Sequence, residues 1–418
     1  MKRIVLSVFI LLFVLTVSIT AQQKTVIFWT HDSPQMTAYT AKLIEKYQMD
    51  NPGVKIDYQY IPLSDYETKL MVALTGGTGP DAFDIGDWSI QAYYNKGLLA
   101  PIDFAAFGFK SVKELQDAWW PSSLSGFTIK GNVYGMPMEY NTFCLFINKA
   151  HFKEIGLDPD KDYPKTWKQL GEVGAKLVKK DKNGRYERGG FDWPHLGPIW
   201  SVLELEPIVL QYGGSFLKKD GSPNLNSKEV VQGLKTYAGL IWDYKTGDPA
   251  IAANNSALPN LDFDEGKLSM WITGPWAQAL FNKITTDEYV VKPLPQVDLK
   301  KPANILYAWA WVVNGKAPVA RQKEASKWLN FLSSNQAGFL KECGYLQPRK
   351  GWESTKEYKE FPFIDVFVKD MEHGQFMFRS DKWAQLGDVI NRAVEKAILN
   401  GEDAQKALDT AQAEALRL

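Results

Sequence analysis

Past residue 23 the chain alternates between the two hydrophobic periods of secondary structure. Residues 25–29, Thr-Val-Ile-Phe-Trp, form a short apolar run that predicts a strand, with Thr30 to Pro34 as its exit loop. Residues 36–50 carry Leu43, Ile44 and Tyr47 at helical spacing, and Asn51-Pro52-Gly53 stops that helix. Residues 54–62 alternate through Val54, Ile56, Tyr58 and Tyr60, as a strand with one buried face does. Ser64 or Asp65 can cap a second helix, which ends at Gly76-Gly77, and "GPDAFDIGDW" supplies a third strand with a polar exit. The order β-α-β-α-β predicts an α/β lobe built on a largely parallel sheet.

Further along, residues 131–149 read as a turn, a strand through Gly135-Met136-Pro137 and a second strand over 143–148, with Glu139-Tyr140-Asn141 between them. Thr166 caps a helix expected to reach Lys180. Asn183-Gly184 is a hairpin turn signal. The ligand spacing around it does not fit a calcium loop. A helix is expected from Ser201 to Tyr212, and an amphipathic one over 227–247. The apolar run Met270-Trp271-Ile272 stops at Gly274-Pro275, and Trp276 follows at once. Residues 305–314 read as one strand, in which Trp309 and Trp311 share a face because side chains alternate. A helix covers 325–332, and 386–416 is helical apart from Gly401. With no repeat and no low-complexity linker, strand crossovers must join the lobes.

In open α/β sheets ligands bind beyond the C-terminal ends of the strands. The first strand exit holds Trp29, His31 and Asp32, and the third holds Asp84, Asp87 and Trp88. Both set a flat ring beside hydrogen-bonding groups. His31 serves there equally as loop polarity or as a hydroxyl partner. The chain has 15 tryptophans. Trp29, Trp88, Trp193, Trp200, Trp276, Trp352 and Trp383 stand beside Gly, Pro, Asp or Asn or near such positions, not inside apolar runs. Singly each suits a core; together, and with Trp309, they predict an aromatic-lined cleft. Trp119, Trp120 and Trp328 read as helix packing.

Composition narrows the classes. Residues 1–21 have a basic start, an apolar stretch and a small-residue end, so a cleavable secretory signal is expected, with no lipid-anchoring cysteine after it. The remaining chain of about 397 residues exceeds one hydrophobic core and predicts two domains. Lys plus Arg and Asp plus Glu balance at 48 each, which gives no basic patch for nucleic acid. Cys144 and Cys343 are expected as two buried free thiols. The four histidines show no metal-ligand spacing, and no cofactor motif occurs. A secreted glycosidase would also combine tryptophans with carboxylates, and Glu139 is its first candidate. No carboxylate pair has motif context, so no catalysis is expected.

Eight segments occur in order along the chain: "NPGVKID", "GGTGPDAFDIGDW", "GLLAPID", "VYGMPMEYN", "LFINKAHFKEIGLDPDKDYPKTWKQL", "FDEGKLSMWITGPW", "ASKWLNFLSSNQ" and "LQPRK". In this order the sequence resembles the carbohydrate-binding solute-binding proteins of ABC importers, the maltodextrin-binding group among them. The resemblance implies a type II periplasmic-binding-protein fold: two α/β lobes, a multi-segment hinge and a ligand cleft between them. It implies an N-terminal lobe of 22–139 and 304–346, and a C-terminal lobe of 140–303 and 347–418. Sugar-binding members place an aromatic ring at the position of Trp276. Hydroxyl partners are then expected among Asp32, Asp84, Asp87, Glu139 and Asn141, with rings from Trp29, Trp88, Trp193, Trp200, Trp276, Trp309 and Trp383. The implied ligand is a neutral carbohydrate, a short oligosaccharide before a monosaccharide, cyclitol or polyol-phosphate. The implied partner is a membrane permease, docked transiently by a monomer. The acidic loop of maltodextrin binders is not clearly reproduced at "THDSPQ", so maltose itself is not implied.

Overall fold

The computed structural model describes residues 23–191, 197–249 and 262–418. The first lobe grows from β1 (Lys24–His31), α1 (Pro34–Asp50), β2 (Val54–Ile61), α2 (Leu63–Thr75) and β3 (Ala82–Gly86). β1 runs parallel to both β2 and β3, as the β-α-β-α-β order requires. α1 buries Met36, Thr40, Leu43, Ile44 and Tyr47, a stripe at three- and four-residue spacing, against this sheet. Pro34 suits its first turn, where no amide partner is needed, and the Asn51 side chain closes its end on the Tyr47 carbonyl at 2.9 Å. Two details depart from expectation. β1 extends through His31 because it pairs with β2 along its whole length, so His31 is a buried strand residue and not loop polarity. Tyr60 lies 55% exposed, off the buried face that alternation gave it.

Short strands β4 (Leu99–Ala100) and β5 (Gly135–Pro137) complete the near side of this sheet. The chain then crosses into a second sheet. The lobe around that sheet contains β6 (Cys144–Asn148), α3 (Trp167–Leu177), β7 (Lys179–Lys180), β8 (Tyr186–Phe191), α4 (Pro198–Gln211), α5 (Lys228–Trp242), β9 (Leu268–Thr273) and β10 (Tyr289–Lys292). The strand order is β10-β6-β9-β8-β7. Thr166 starts α3 with a reciprocal capping box to Gln169. α3 ends at Leu177, three residues early, because Lys179–Lys180 pair with Tyr186 and Arg188 in the hairpin that Asn183-Gly184 turns.

The expected single strand over 305–314 is two. β11 (Asn304–Leu306) pairs with β13 (Gly374–Phe376), whereas β12 (Trp309–Asn314) returns to the first sheet between β3 and β4. The first-lobe order is thus β2-β1-β3-β12-β4, with β5 also on β12. Between β11 and β12 the chain changes lobes. Tyr307 exchanges backbone hydrogen bonds with Asn141 at 2.9 and 3.1 Å, and Met138 donates to the Trp309 carbonyl at 2.9 Å. A third segment joins them where Tyr140 donates to the Leu346 carbonyl at 2.9 Å. Three adjacent chain segments therefore form the hinge. Helices α6 (Val319–Ser333) and α7 (Gln336–Cys343) pack on the first lobe; α8 (Ile364–Met371), α9 (Trp383–Asn400) and α10 (Ala404–Ala415) build on the second. Cys144 and Cys343 are both free and buried. No helix among the described residues is long and apolar enough to cross a membrane.

Candidate functional site

The ends of β1, β3 and β12 deliver a run of rings to the lobe boundary. His31 closes β1, and its ring lies 4.2 Å from that of Trp309, the first residue of β12. Trp88, two residues beyond β3, meets Trp309 edge-on at 5.0 Å. From the other lobe Trp383, which begins α9, comes within 5.8 Å of Trp88 and stacks on Phe378 at 6.2 Å. A run of buried ring contacts thus continues from one lobe into the other through five rings. Trp311 shares the face of Trp309 but packs on Phe339 of α7 and is 1% exposed, so it belongs to the core.

Polar groups stand along this run, and several lack partners. Asp87 accepts from the Ala308 amide at 2.9 Å with one oxygen; the other, Oδ2, has no partner. Glu206, on α4, accepts from the Phe378 amide at 3.0 Å through Oε1, and its Oε2 is also unpartnered. Glu139 accepts from the Asn141 amide group at 2.6 Å, which leaves Asn141 Oδ1 free. Arg379 Nη1 reaches across the boundary to the Ser125 carbonyl at 3.1 Å, while its Nε has no partner. The indole N–H groups of Trp29 and Trp383 are unpartnered as well. Native interiors pair nearly all buried polar groups, so the orphans gathered at the lobe boundary make it the candidate ligand site. A surface hollow of about 800 Å³ lies elsewhere, lined by residues such as Asp103, Ala320, Arg321 and Lys327, and contains no ring.

The same burial sets the protonation states. Burial pushes Asp87 up to about 7, against the pull of the Arg379 charge and the Ala308 amide. Burial likewise raises Glu139 to about 7, although Asn141 and His31 oppose it. Glu206 rises to about 8 by burial, aided by the charge of Asp87. Burial penalises the His31 cation, but the Asp84 carboxylate 2.7 Å away, with Glu139 and Asp32 beyond it, outweighs that, and the ring's pKa is raised.

The expected site residues separate accordingly. His31, Asp87, Trp88, Glu139, Asn141, Trp309 and Trp383 are brought together here. Asp84 is adjacent, but both its oxygens are taken by the backbone amide and ring of His31, at 3.1 and 2.7 Å, so it braces that ring. Asp32 accepts from the Thr37 hydroxyl at 2.9 Å at the start of α1. Trp276 is half-buried at the hinge, 5.6 Å from Tyr307 and 5.9 Å from Phe143. Trp29 and Trp200 are half-buried on β1 and α4. Trp193 lies outside the described residues. Sequence reasoning missed Glu206, Arg379 and Phe378. For Glu206 a signal existed: α4 reads "LELEPIVL", an apolar helix in which acidic residues must be buried. Arg379 gave none beyond its place in an aromatic stretch. Arg349 lies over Trp119 at 5.1 Å and donates to Ser334 at 2.9 Å, so it is structural. Among the described residues no cluster of His, Cys, Asp and Glu could hold a metal ion.

The family model described as bacterial extracellular solute-binding protein matches residues 32–339. The chain belongs to that family. It is a binding protein, not an enzyme. It is 26% identical over 380 residues to a maltotriose-binding protein of Pyrococcus abyssi, covering 89% of this chain and 77% of that one. It is 24% identical over 414 residues to the sn-glycerol-3-phosphate-binding periplasmic protein of Escherichia coli, covering 93% and 90%. An ABC substrate-binding protein from Listeria monocytogenes in complex with cycloalternan superposes with a TM-score of 0.80 at 22% identity, covering 94% of this binding protein and 98% of that chain. That likeness establishes the two-lobed type II periplasmic-binding-protein fold.

Proposed function

We propose that this protein is exported by cleavage of residues 1–21 and captures a neutral carbohydrate, a short oligosaccharide, between its lobes. The lobes are taken as 22–139 with 304–346 and 140–303 with 347–418. A ligand that touches both lobes favours the closed over the open arrangement. The closed monomer then docks on the membrane permease of an ABC importer. The observation that carries the ligand class is the ring run from His31 to Phe378 with unpartnered polar atoms beside it. The apolar C–H face of a pyranose stacks on an indole, and its edge hydroxyls both donate and accept. The names of the maltotriose- and cycloalternan-binding relatives agree with this reading. A polyol-phosphate is the second reading. The E. coli relative's name and the free Nε of Arg379 favour it.

Thermal-shift screening tests the choice. A ligand at 100 times its dissociation constant stabilises the folded protein by about 2.7 kcal/mol. We expect maltotriose-like oligosaccharides, or a smaller neutral sugar, to raise the melting temperature without any hydrolysis product accumulating. A shift with phosphorylated compounds alone rejects the neutral-sugar reading.

A further inference from the structure

Asp87 and Glu206 approach the ring run from opposite lobes and are held alike. Each gives one oxygen to a backbone amide, that of Ala308 or of Phe378, which fixes the plane of the carboxylate. Each keeps the other oxygen without a partner, on a residue 0% and 2% exposed respectively. A buried acceptor left unpaired on one side would be a local defect. One from each lobe points to a group that arrives from outside. An independent sign lies beside them. Trp383, 4% exposed, has an unpartnered indole N–H, and its ring stacks on Phe378, whose amide holds Glu206.

We propose that Asp87 and Glu206 form the specificity-determining pair of this site: each, when ionised, demands a hydrogen-bond donor from the ligand, so hydroxyl groups are accepted and anionic groups are refused. This rests on the carbohydrate reading and narrows it. The titratable groups that face the pair are Arg379, whose charge acts on Asp87, and the Tyr140 and Tyr307 hydroxyls, which feel the Asp87 charge. One guanidinium against two carboxylates leaves the pocket negative when all are ionised, and a phosphate would add to that. Arg379 gives its Nη1 to the Ser125 carbonyl, and its charge acts on Asp87.

The pair also opposes closure on nothing. With the lobes together, burial raises Asp87 to about 7 and Glu206 to about 8. The Asp87 charge adds to the rise at Glu206 because the group of lower pKa ionises first. In an open arrangement both carboxyls meet water and return towards about 4, the ordinary carboxylate range. Proton binding thus favours the empty closed form fully below that range, and the contribution is lost as pH rises through about 7–8. At higher pH only donors on a ligand can replace those protons.

The variants E206Q and D87N/E206Q keep side-chain size and remove the charge. Calorimetry at about pH 8.5, where both carboxyls of the pair are ionised, would compare maltotriose, cycloalternan and smaller neutral polyols with sn-glycerol 3-phosphate. We expect E206Q to weaken the best neutral ligand by roughly 10-fold or more, the size of a lost hydrogen bond to a charged group, and to narrow its preference over sn-glycerol 3-phosphate. A neutral sugar that binds with an unchanged affinity ratio in E206Q overturns the pair but not the carbohydrate reading. Binding of sn-glycerol 3-phosphate alone, or of nothing, overturns both. Small-angle scattering on ligand-free protein supplies a second readout that a merely structural role would not move. The wild type should be more compact at about pH 5.5 than at about pH 8, and D87N/E206Q compact at both. Wild-type dimensions that ignore pH, or a double variant that tracks the wild type, overturn the pair.

Discussion

At the scale of one residue, Trp276 shows how a local break makes a surface. β9 ends at Thr273, and a helical turn over Pro275–Leu280 begins at once. A side chain at Gly274 would collide with the Trp276 ring, so glycine lets the indole fold back over its own strand end. The ring is half-buried, between Phe143 and Tyr307. Trp276→Ala should therefore weaken sugar binding by about 2–3 kcal/mol, roughly 30- to 150-fold, with Trp276→Phe recovering part of it. The cost to stability should stay below the roughly 3–5 kcal/mol of a fully buried indole. Calorimetry and thermal melting on the same variant separate the two. A collapsed melting temperature with near-normal affinity would assign the ring to packing. The break was legible in the sequence because Gly-Pro ends a strand wherever it stands. The contacts to Phe143 and Tyr307 were not, because those residues are far away in the chain.

Among elements, the hinge carries the most consequence. α7 ends in Gly344, whose φ of +70° is left-handed and favours glycine. A Cβ there would stand 2.8 Å from Trp276 Cα and 3.0 Å from the Pro275 carbonyl, across the lobe boundary. Gly344→Ala should thus strain its own backbone and also wedge the lobes apart, costing about 1–3 kcal/mol. Because the wedge acts only with the lobes together, we expect ligand affinity to fall by more than the stability of the unliganded protein. Isothermal calorimetry paired with denaturant melts checks this; equal losses would place the strain within the first lobe alone. The elements themselves followed from period and caps, as α1 and α3 illustrate. The division of 305–314 into β11 and β12 did not. Its alternation is unbroken, and only the pairing of Asn304–Leu306 with Gly374–Phe376 reveals that the chain changes lobes there.

For the whole molecule, burial of carboxylates couples stability to pH. Asp87 and Glu139 rise to about 7 and Glu206 to about 8, all above their unfolded values. Groups raised in this way add stability at low pH that is lost as pH climbs through their folded values. His31, also raised, acts in the same direction. Glu154 and Glu265, held down to about 2 by hydrogen bonds from Arg188 and Lys179 and from Lys267 and Lys283, stay ionised throughout that window. The melting temperature of ligand-free protein should therefore fall between about pH 6 and pH 8.5, and fall less in E206Q. A flat wild-type profile would contradict the burial of this cluster.

The sequence by itself determined most of the elements, the α/β class and the two lobes, because hydrophobic period, caps and strand exits are local properties of the chain. It placed Trp88, Glu139, Asn141, Trp309 and Trp383 at the boundary since each stands at or beside the end of a strand or helix. Only the tertiary structure decided what each does there. It turned Asp84 onto His31, sent Trp311 into the core, and brought Glu206 and Arg379 to Asp87 from segments more than a hundred residues away. A residue's burial and its partner are set by which distant elements pack against it, and no period or motif within its own segment records that.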